Sequence, residues 1–291
     1  MKITFLISSL RPLQWSKNLI IFAALIFSKN LFNSDAFSHS LLAFALFCLI
    51  SGSIYIINDI RDIAQDRLHP EKSKRAIASG MISIKEALIL SLSIIILAIP
   101  ASFLLNFGFG IAASIYILIM ILYSLHLKRI FILDVLIISL GFVIRAVAGA
   151  LVIEVTISSW LLVCTTFLAL FIASGKRYHE LLLLSEDKSY HRAQLAYYTP
   201  RLLDQIISIA TAATIISYAL YTMSEETIAK FGSLLILTLP FVLYGILRYL
   251  YLIYKEGLGG NPSKILIKDK PLLINIALWI ITAGIIIYLK V

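Results

Sequence analysis

The feature that most constrains the fold is a series of nine long apolar segments. Each approaches the roughly 20 apolar residues that a helix needs to cross the hydrocarbon core of a bilayer. In lipid, a single segment satisfies its backbone hydrogen bonds only as a helix. We therefore predict an all-α, polytopic membrane protein with nine transmembrane helices. The segments cover approximately residues 18–34, 36–57, 84–105, 107–124, 131–151, 158–178, 203–223, 231–253 and 271–289.

Composition supports this class and excludes others. The chain is 60% hydrophobic and only 14% charged, whereas a soluble domain is about a quarter charged. The net charge of +9 suits anionic lipid and anionic substrates. No interleaved basic and aromatic pattern predicts nucleic-acid binding. Cys48 and Cys164 both lie inside apolar segments, so neither a disulfide framework nor a zinc site is expected.

The distribution of lysine and arginine predicts the orientation. Twenty of the 25 fall on one side of the spans, three on the other and two within spans. By the positive-inside rule, the N-terminus and the charged loops are cytoplasmic and the C-terminus is outside. The charged loops are 58–83, 124–130, 176–202 and 254–270, and the opposite loops are short and nearly uncharged. This asymmetry predicts a site at one face of the membrane, open to cytosolic substrates and to lipid.

Acidic residues follow directly on the second apolar segment. If the helix continues at about 100° per residue, Tyr55, Asn58, Asp59, Asp62 and Asp66 fall on one face. Carboxylates stacked this closely repel one another unless a cation lies between them. Mg²⁺ is commonly held by one or two carboxylates together with substrate phosphates. We therefore predict that Asn58, Asp59, Asp62 and Asp66 bind Mg²⁺; the alternative is a solvated polar helix end.

Cations stand at the charged ends of several apolar segments. Lys17 precedes the first, Lys72 and Arg75 follow the aspartates, Lys128 follows the fourth, and Lys176-Arg177 ends the sixth. Cations beside a metal site suggest a polyanion that contacts both. For each cation the alternative is a purely topological charge, and Lys176 could instead pair with Glu180.

Two charged residues lie within or close to the fifth apolar segment. Arg145 lies about three helical turns inside it, where an arginine is costly and usually functional. It could hold a lipid phosphate, or it could be the counter-ion of Asp134 or another acid. Asp134 needs a partner or a metal, and a salt bridge to a neighbouring arginine is its simplest explanation.

The pattern Asn58-Asp59-x-x-Asp62-x-x-x-Asp66 after the second of nine spans resembles the UbiA superfamily of intramembrane prenyltransferases. The resemblance covers essentially the whole chain and implies one integral-membrane domain over residues 1–291. That superfamily ordinarily carries a second aspartate-rich motif after the sixth span. Here the corresponding residues are Lys176-Arg177-Tyr178-His179-Glu180, which favours a cationic clamp over a second metal cluster.

Four further patterns resemble the decaprenyl-phosphate phosphoribosyltransferase branch: Arg11-Pro12-x-Gln14-Trp15-x-Lys17-Asn18, His69-Pro70-x-Lys72, Gly141-Phe142-x-x-Arg145 and Gly175-Lys176-Arg177-Tyr178. The branch implies Mg²⁺-dependent transfer of 5-phosphoribose from phosphoribosyl diphosphate to a polyprenyl phosphate, a reaction of cell-envelope biosynthesis at the cell membrane. A conventional prenyltransferase and, less favoured, a lipid or solute transporter remain alternatives.

The resemblance also implies roles for individual residues. Asp59, Asp62 and Asp66 are expected to be catalytic through the metal and the diphosphate. Lys72, Arg75 and Tyr55 are assigned to the donor, and Lys17, Lys128, Arg145, Lys176 and Arg177 are divided between the donor and acceptor phosphates. The complete predicted substrate contacts are Lys17, Tyr55, Asn58, Lys72, Arg75, Tyr123, Lys128, Arg145, Lys176, Arg177 and Glu180.

Overall fold

A computed structural model describes residues 2–69, 71–186, 197–260 and 262–289, and these residues form helices and their connections. Pro70 and residues 187–196, which belong to two of the predicted charged loops, lie outside the described residues. The helices are α1 (Lys2–Ser9), α2 (Phe22–Phe27), α3 (Ser34–Arg61), α4 (Ile63–Leu68), α5 (Ile84–Leu105), α6 (Phe107–Leu125), α7 (Leu133–Val152), α8 (Ser159–Glu186), α9 (Pro200–Met223), α10 (Glu225–Phe231), α11 (Leu239–Tyr254), α12 (Pro262–Lys268) and α13 (Lys270–Leu289). Short 3₁₀ segments cover Pro12–Ile21, Lys72–Lys74, Leu127–Arg129 and Ser233–Thr238.

Eight of the described helical segments are long and apolar enough to cross a membrane. They are α3, α5, α6, α7, α8, α9, the continuous segment Ser233–Tyr254 and α13. The prediction of an all-α, polytopic membrane protein is confirmed. The first predicted span, 18–34, differs: the apolar helical segment is Pro12–Phe27, a shorter one built from the 3₁₀ segment and α2. Its end coincides with polar residues, where Lys29 adopts a left-handed backbone with φ 63°.

The core lies between these long helices. One apolar cluster is centred on Phe47 of α3 and on Phe109 and Tyr116 of α6. Another is formed around Phe171 of α8 and Tyr249 of α11, whose rings are 5.3 Å apart in an edge-to-face arrangement. Aromatic pairs in tilted or edge-to-face arrangements stabilise the packing of these helices.

A close approach brings the 3₁₀ segment Pro12–Ile21 into the bundle. Gly149 of α7 packs directly against the carbonyl of Ile21, and a Cβ at this position would clash with that backbone. Small residues allow such contacts between helices in membranes. As a result Asn18, on the same segment, is fully buried beside α7.

The helical repeat carries on almost unbroken past the end of α3. Asp62 lies between α3 and α4 with φ −94° and ψ 9°. Its backbone N–H donates to Asn58 at 2.9 Å, and the N–H of Asp66 donates to Asp62 at 2.8 Å. Because both bonds join residues four apart, the acidic residues keep a common face. At the other side of the site, α8 extends past the predicted end at residue 178, so Lys176–Glu180 is helical.

Candidate active site at the charged end of the bundle

Three buried carboxylates define the site. Asp59, Asp62 and Asp66 are all almost completely inaccessible, and each is bound by at least one cation. A buried carboxylate is costly unless it is paired or coordinated, and these contacts supply the pairing. We call the end of the bundle that carries these residues the charged end.

Arg75 connects two of the three carboxylates. Its Nη1 lies 3.1 Å from Asp59 Oδ1 and 2.5 Å from Asp66 Oδ2. Arg11 also donates to Asp59 Oδ1. The backbone of Arg11 is left-handed, with φ 53° and ψ 65°, at the turn between α1 and Pro12. Two arginines from separate parts of the chain therefore converge on Asp59.

Lys128 binds the remaining oxygen ligands. Its Nζ lies 2.5 Å from Asp62 Oδ1 and 3.2 Å from Asn58 Oδ1. Lys128 comes from the 3₁₀ turn after α6 and is nearly buried. In this structure Lys128, predicted as a substrate contact, binds a carboxylate and an amide oxygen of the acidic face.

A second buried network lies across the site. Arg177 Nε donates to Asp134 Oδ2 at 2.6 Å, and Tyr198 donates to Asp134 Oδ1 at 2.6 Å. Arg177 is 2% exposed and Asp134 is completely buried. Arg177 also binds Glu180 and lies 3.3 Å from the Tyr123 hydroxyl. The salt bridge that was the simplest explanation for Asp134 is confirmed.

Lys176 differs from Arg177 in its exposure. Its side chain is 40% exposed, and its Nζ is 3.9 Å from Glu180 Oε1. The pairing considered as its alternative is therefore present, but at the limit of an ion pair. Exposed pairs of this kind contribute little energy.

Arg145 has neutral partners. Its guanidinium donates to Asn18 Oδ1 at 2.7 Å, to the Gly141 carbonyl at 2.8 Å and to the Tyr116 hydroxyl at 2.6 Å. It also lies over the rings of Tyr116 and Phe142. Among the described residues no carboxylate pairs with Arg145, so the alternative of a counter-ion to Asp134 is wrong: that acid belongs to Arg177.

Tyr55 lies between the acidic face and the interior. Arg11 lies 5.0 Å from the centre of its ring, and Lys17 lies 5.9 Å from it. Both distances permit a cation–π contact. Tyr55 and Lys17, which the sequence predicts as substrate contacts, are therefore neighbours.

The turn after α4 carries His69 and Lys72. The Nδ1 atom of His69 accepts from the backbone N–H of Glu71 at 3.2 Å and of Lys72 at 3.4 Å. Burial, followed by the charges of Lys72 and Arg75, lowers the pKa of His69, while Asp66 and Glu180 oppose this effect. Because Glu180 on α8 belongs to the Arg177 network, its effect on the pKa of His69 indicates that the two networks lie close together.

The oxygen ligands suit Mg²⁺, although no group of three or more His, Cys, Asp or Glu side chains within the described part of the chain is arranged to hold a metal by itself. They converge in pairs: Asp59 and Asp66 on one arginine nitrogen, Asn58 and Asp62 on the lysine nitrogen. Mg²⁺ typically needs only one or two carboxylates, with waters and substrate phosphates completing its shell. Each pair meets that requirement, so the donor set fits the ion.

The sequence-based assignment missed several residues of these networks. Arg11 and Asn18 stand in a motif that was recognised, but neither received a role. Tyr116 and Tyr198 lie in an apolar segment and in a charged loop, where nothing distinguishes them from packing or interfacial tyrosines. Their contacts depend on helix packing between residues more than 25 positions apart, which local spacing does not show.

The fold and the site together define an all-helical, multi-span membrane protein with a buried acidic and cationic site at one end. The model of the UbiA prenyltransferase family matches residues 19–261. The chain belongs to that family.

Curated relatives are similar over nearly the full length. The decaprenyl-phosphate phosphoribosyltransferase of Mycolicibacterium smegmatis is 34% identical, over 97% of this chain and 92% of the relative. The decaprenyl-phosphate phosphoribosyltransferase of Corynebacterium glutamicum is 33% identical, over 98% of this chain and 87% of the relative. The similarity to both relatives therefore extends over nearly the whole chain.

Solved structures share the fold. A UbiA homolog from Archaeoglobus fulgidus, bound to GPP and Mg²⁺, superposes with a TM-score of 0.72 at 21% identity and covers 97% of this chain and 99% of its own. At this identity the likeness shows the fold alone.

Proposed function

We propose that this protein transfers 5-phosphoribose from phosphoribosyl diphosphate to a polyprenyl phosphate and releases diphosphate. The observation that carries the proposal is the full-length similarity to two decaprenyl-phosphate phosphoribosyltransferases. In this reaction an oxygen of the acceptor phosphate bonds to C1 of the ribose while the bond from C1 to the diphosphate oxygen breaks. The acceptor is already an anion, so no protein group has to remove a proton.

The acidic face would bind the metal and the leaving group. Asn58, Asp59, Asp62 and Asp66 would hold Mg²⁺, which supplies positive charge to the departing diphosphate. Lys128 is within hydrogen-bond reach of two of these residues and can contact a diphosphate held there. Charge placed in advance where negative charge develops is the main means by which such a site lowers a barrier.

The other cations would bind the remaining phosphates. Lys72, Arg75 and Tyr55 would contact the donor beside the acidic face. We add Arg11 to this set because it binds Asp59 together with Arg75. Lys176 lies on α8 with a side chain that is 40% exposed, which would suit a second phosphate of the same donor. The guanidinium of Arg177 is enclosed by protein groups. We propose that Arg177 contacts a substrate phosphate and also positions Glu180 and Tyr123.

The interior would receive the lipid phosphate. Arg145 carries a buried positive charge with three neutral partners. Buried arginine in a membrane span usually serves a functional anion. Together with Lys17, Arg145 would give an acceptor phosphate a positive environment.

We also propose where the protein is located and how it is oriented in the membrane. Residues 1–291 form one domain of the cell membrane, with the N-terminus and the charged end in the cytoplasm, as the positive-inside rule predicts. That orientation gives the water-soluble donor access to the site. The orientation can be tested with single cysteines introduced at the exposed positions Glu71 and Asp35. Each is labelled separately from the cytoplasmic side and from the outer side. Labelling of position 71 from outside would contradict the proposed orientation.

A second candidate is conventional prenyl transfer, because solved structures of the same fold are bound to GPP or DMAPP with Mg²⁺.

The test of the proposed function incubates the purified protein with Mg²⁺, labelled phosphoribosyl diphosphate and a polyprenyl phosphate. We expect label in the organic phase, and none when Mg²⁺ is chelated. No transfer, with transfer instead of a prenyl group from its diphosphate to an aromatic acceptor, would establish the second candidate.

A further inference from the structure

The three carboxylates of the acidic face are balanced by three cations. Asp59 is bound by Arg11 and Arg75, Asp66 by Arg75, and Asp62 by Lys128. The carboxylates are almost completely buried. Because unbalanced charge in such surroundings is costly, this neutral set is a stable arrangement without any metal.

The cations occupy the points on which the oxygen atoms converge. Arg75 Nη1 lies between Asp59 Oδ1 and Asp66 Oδ2, and Lys128 Nζ lies between Asn58 Oδ1 and Asp62 Oδ1. A divalent ion bound by either pair needs the same space and the same lone pairs. Arg75 or Lys128 must therefore leave before a metal can bind there.

We propose that Arg75 and Lys128 are internal counter-ions that compete with Mg²⁺ for the acidic face and move to the donor diphosphate when the metal binds. A metal ion alone would leave two unbalanced positive charges in the buried site. A metal ion that arrives with a diphosphate brings the negative charge that the displaced side chains need. Metal and donor therefore bind cooperatively, and the metal alone binds weakly.

Arg75 is suited to this exchange by its position. It follows the 3₁₀ turn Lys72–Lys74, and its side chain is 27% exposed, so it can swing toward a ligand without leaving the site. Lys128 is less exposed, but its side chain is long and flexible. The inference rests on the proposed metal site, not on the identity of the group that is transferred.

The test is the affinity for Mn²⁺ alone, measured by electron paramagnetic resonance on the full-length protein in detergent. We expect Arg75→Gln to raise this affinity by about tenfold or more, because it removes a positive charge from the ligand oxygens. Arg75→Lys should stay near the wild-type value because it keeps the charge. Arg67→Gln is the matched control, since Arg67 lies in the same region but donates to the Ala78 carbonyl.

Lys128→Gln provides a second variant if Arg75→Gln fails to fold, and it should also raise the affinity. Unchanged or weaker Mn²⁺ binding in a folded Arg75→Gln or Lys128→Gln variant would overturn the inference, because it would show that these side chains support the metal. Since no transfer is measured, failure of phosphoribosyl transfer with the expected Mn²⁺ result would overturn only the proposed function.

Discussion

Lys128 Nζ lies 2.5 Å from Asp62 Oδ1, and this contact joins the turn after α6 to the residue between α3 and α4. The two residues are 66 positions apart in the chain. Their contact holds the turn after α6 against the acidic face. It also makes Asp62 the residue at which loss of a carboxylate should affect the site most directly.

Asp62→Asn should reduce transfer by about a hundredfold or more, because it removes charge from the proposed metal site and replaces the carboxylate partner of Lys128 with a neutral amide. The amount of protein inserted in the membrane should not change. Asp35→Asn is the control: Asp35 is exposed in the first turn of the same helix α3, at its opposite end. Retained transfer by Asp62→Asn would remove this residue from the site.

Arg145→Met should raise the KM for polyprenyl phosphate by about tenfold or more, the typical value of a lost charge-assisted hydrogen bond. The KM for phosphoribosyl diphosphate should change much less, because Arg145 contacts Asn18 and Tyr116 in the interior. Arg248→Met is the matched control, since Arg248 also lies in a spanning segment but binds Asp269. Equal effects on the two KM values would contradict the assignment of Arg145 to the acceptor.

Asp134→Asn should lower the free energy of unfolding by about 3–5 kcal/mol, because it leaves the buried Arg177 short of one carboxylate. Thermal unfolding in detergent measures the effect. Replacing both partners, by Asp134→Asn with Arg177→Met, should recover part of the loss. Asp269→Asn breaks a more accessible pair and should cost less; a loss as large as that of Asp134→Asn would contradict the importance of burial.

Lowering the pH should weaken donor binding through His69. Its Nδ1 accepts from the N–H groups of Glu71 and Lys72, which a protonated ring cannot do. The folded protein lowers the pKa of His69 through burial and neighbouring cations. The stability of this turn is therefore complete above the usual histidine value of about 6.5 and is lost as the pH falls through the lower folded value.

The measurement is the KM for the donor between about pH 5 and pH 7.5, a range that brackets the usual histidine pKa. His69→Asn is the matched variant, because an asparagine side chain can accept from the same backbone groups without titrating. We expect this variant to bind the donor at neutral pH and to lose the acidic decline. An unchanged decline in His69→Asn would assign it to another group.

The fold followed from the sequence because each apolar segment carries its own signal. Long segments such as 84–105 and 107–124 match α5 and α6 almost to the residue. The exception was Pro12–Phe27, where the 3₁₀ segment packs against Gly149. This contact belongs to the tertiary structure, and hydrophobicity alone gave no sign of it.

The acidic face was predicted because its residues follow one helical repeat, which runs from α3 into α4. Asn58, Asp59, Asp62 and Asp66 lie on one face because their spacing fixes it. Their partners could not be predicted in the same way: Arg11, Arg75 and Lys128 come from three different connections. Spacing also did not show that Arg177 lies buried between Asp134 and Glu180 while its neighbour Lys176 is exposed. The roles of individual cations toward the substrates remain predictions.

The central claim is that the donor is phosphoribosyl diphosphate. The most direct test supplies that donor and a prenyl diphosphate together, at equal concentration, to the purified protein with Mg²⁺, polyprenyl phosphate and an aromatic acceptor, and determines product masses by mass spectrometry. We predict a polyprenyl phosphate heavier by one phosphoribosyl group and no prenylated aromatic product. A prenylated aromatic product with an unmodified polyprenyl phosphate would contradict the account.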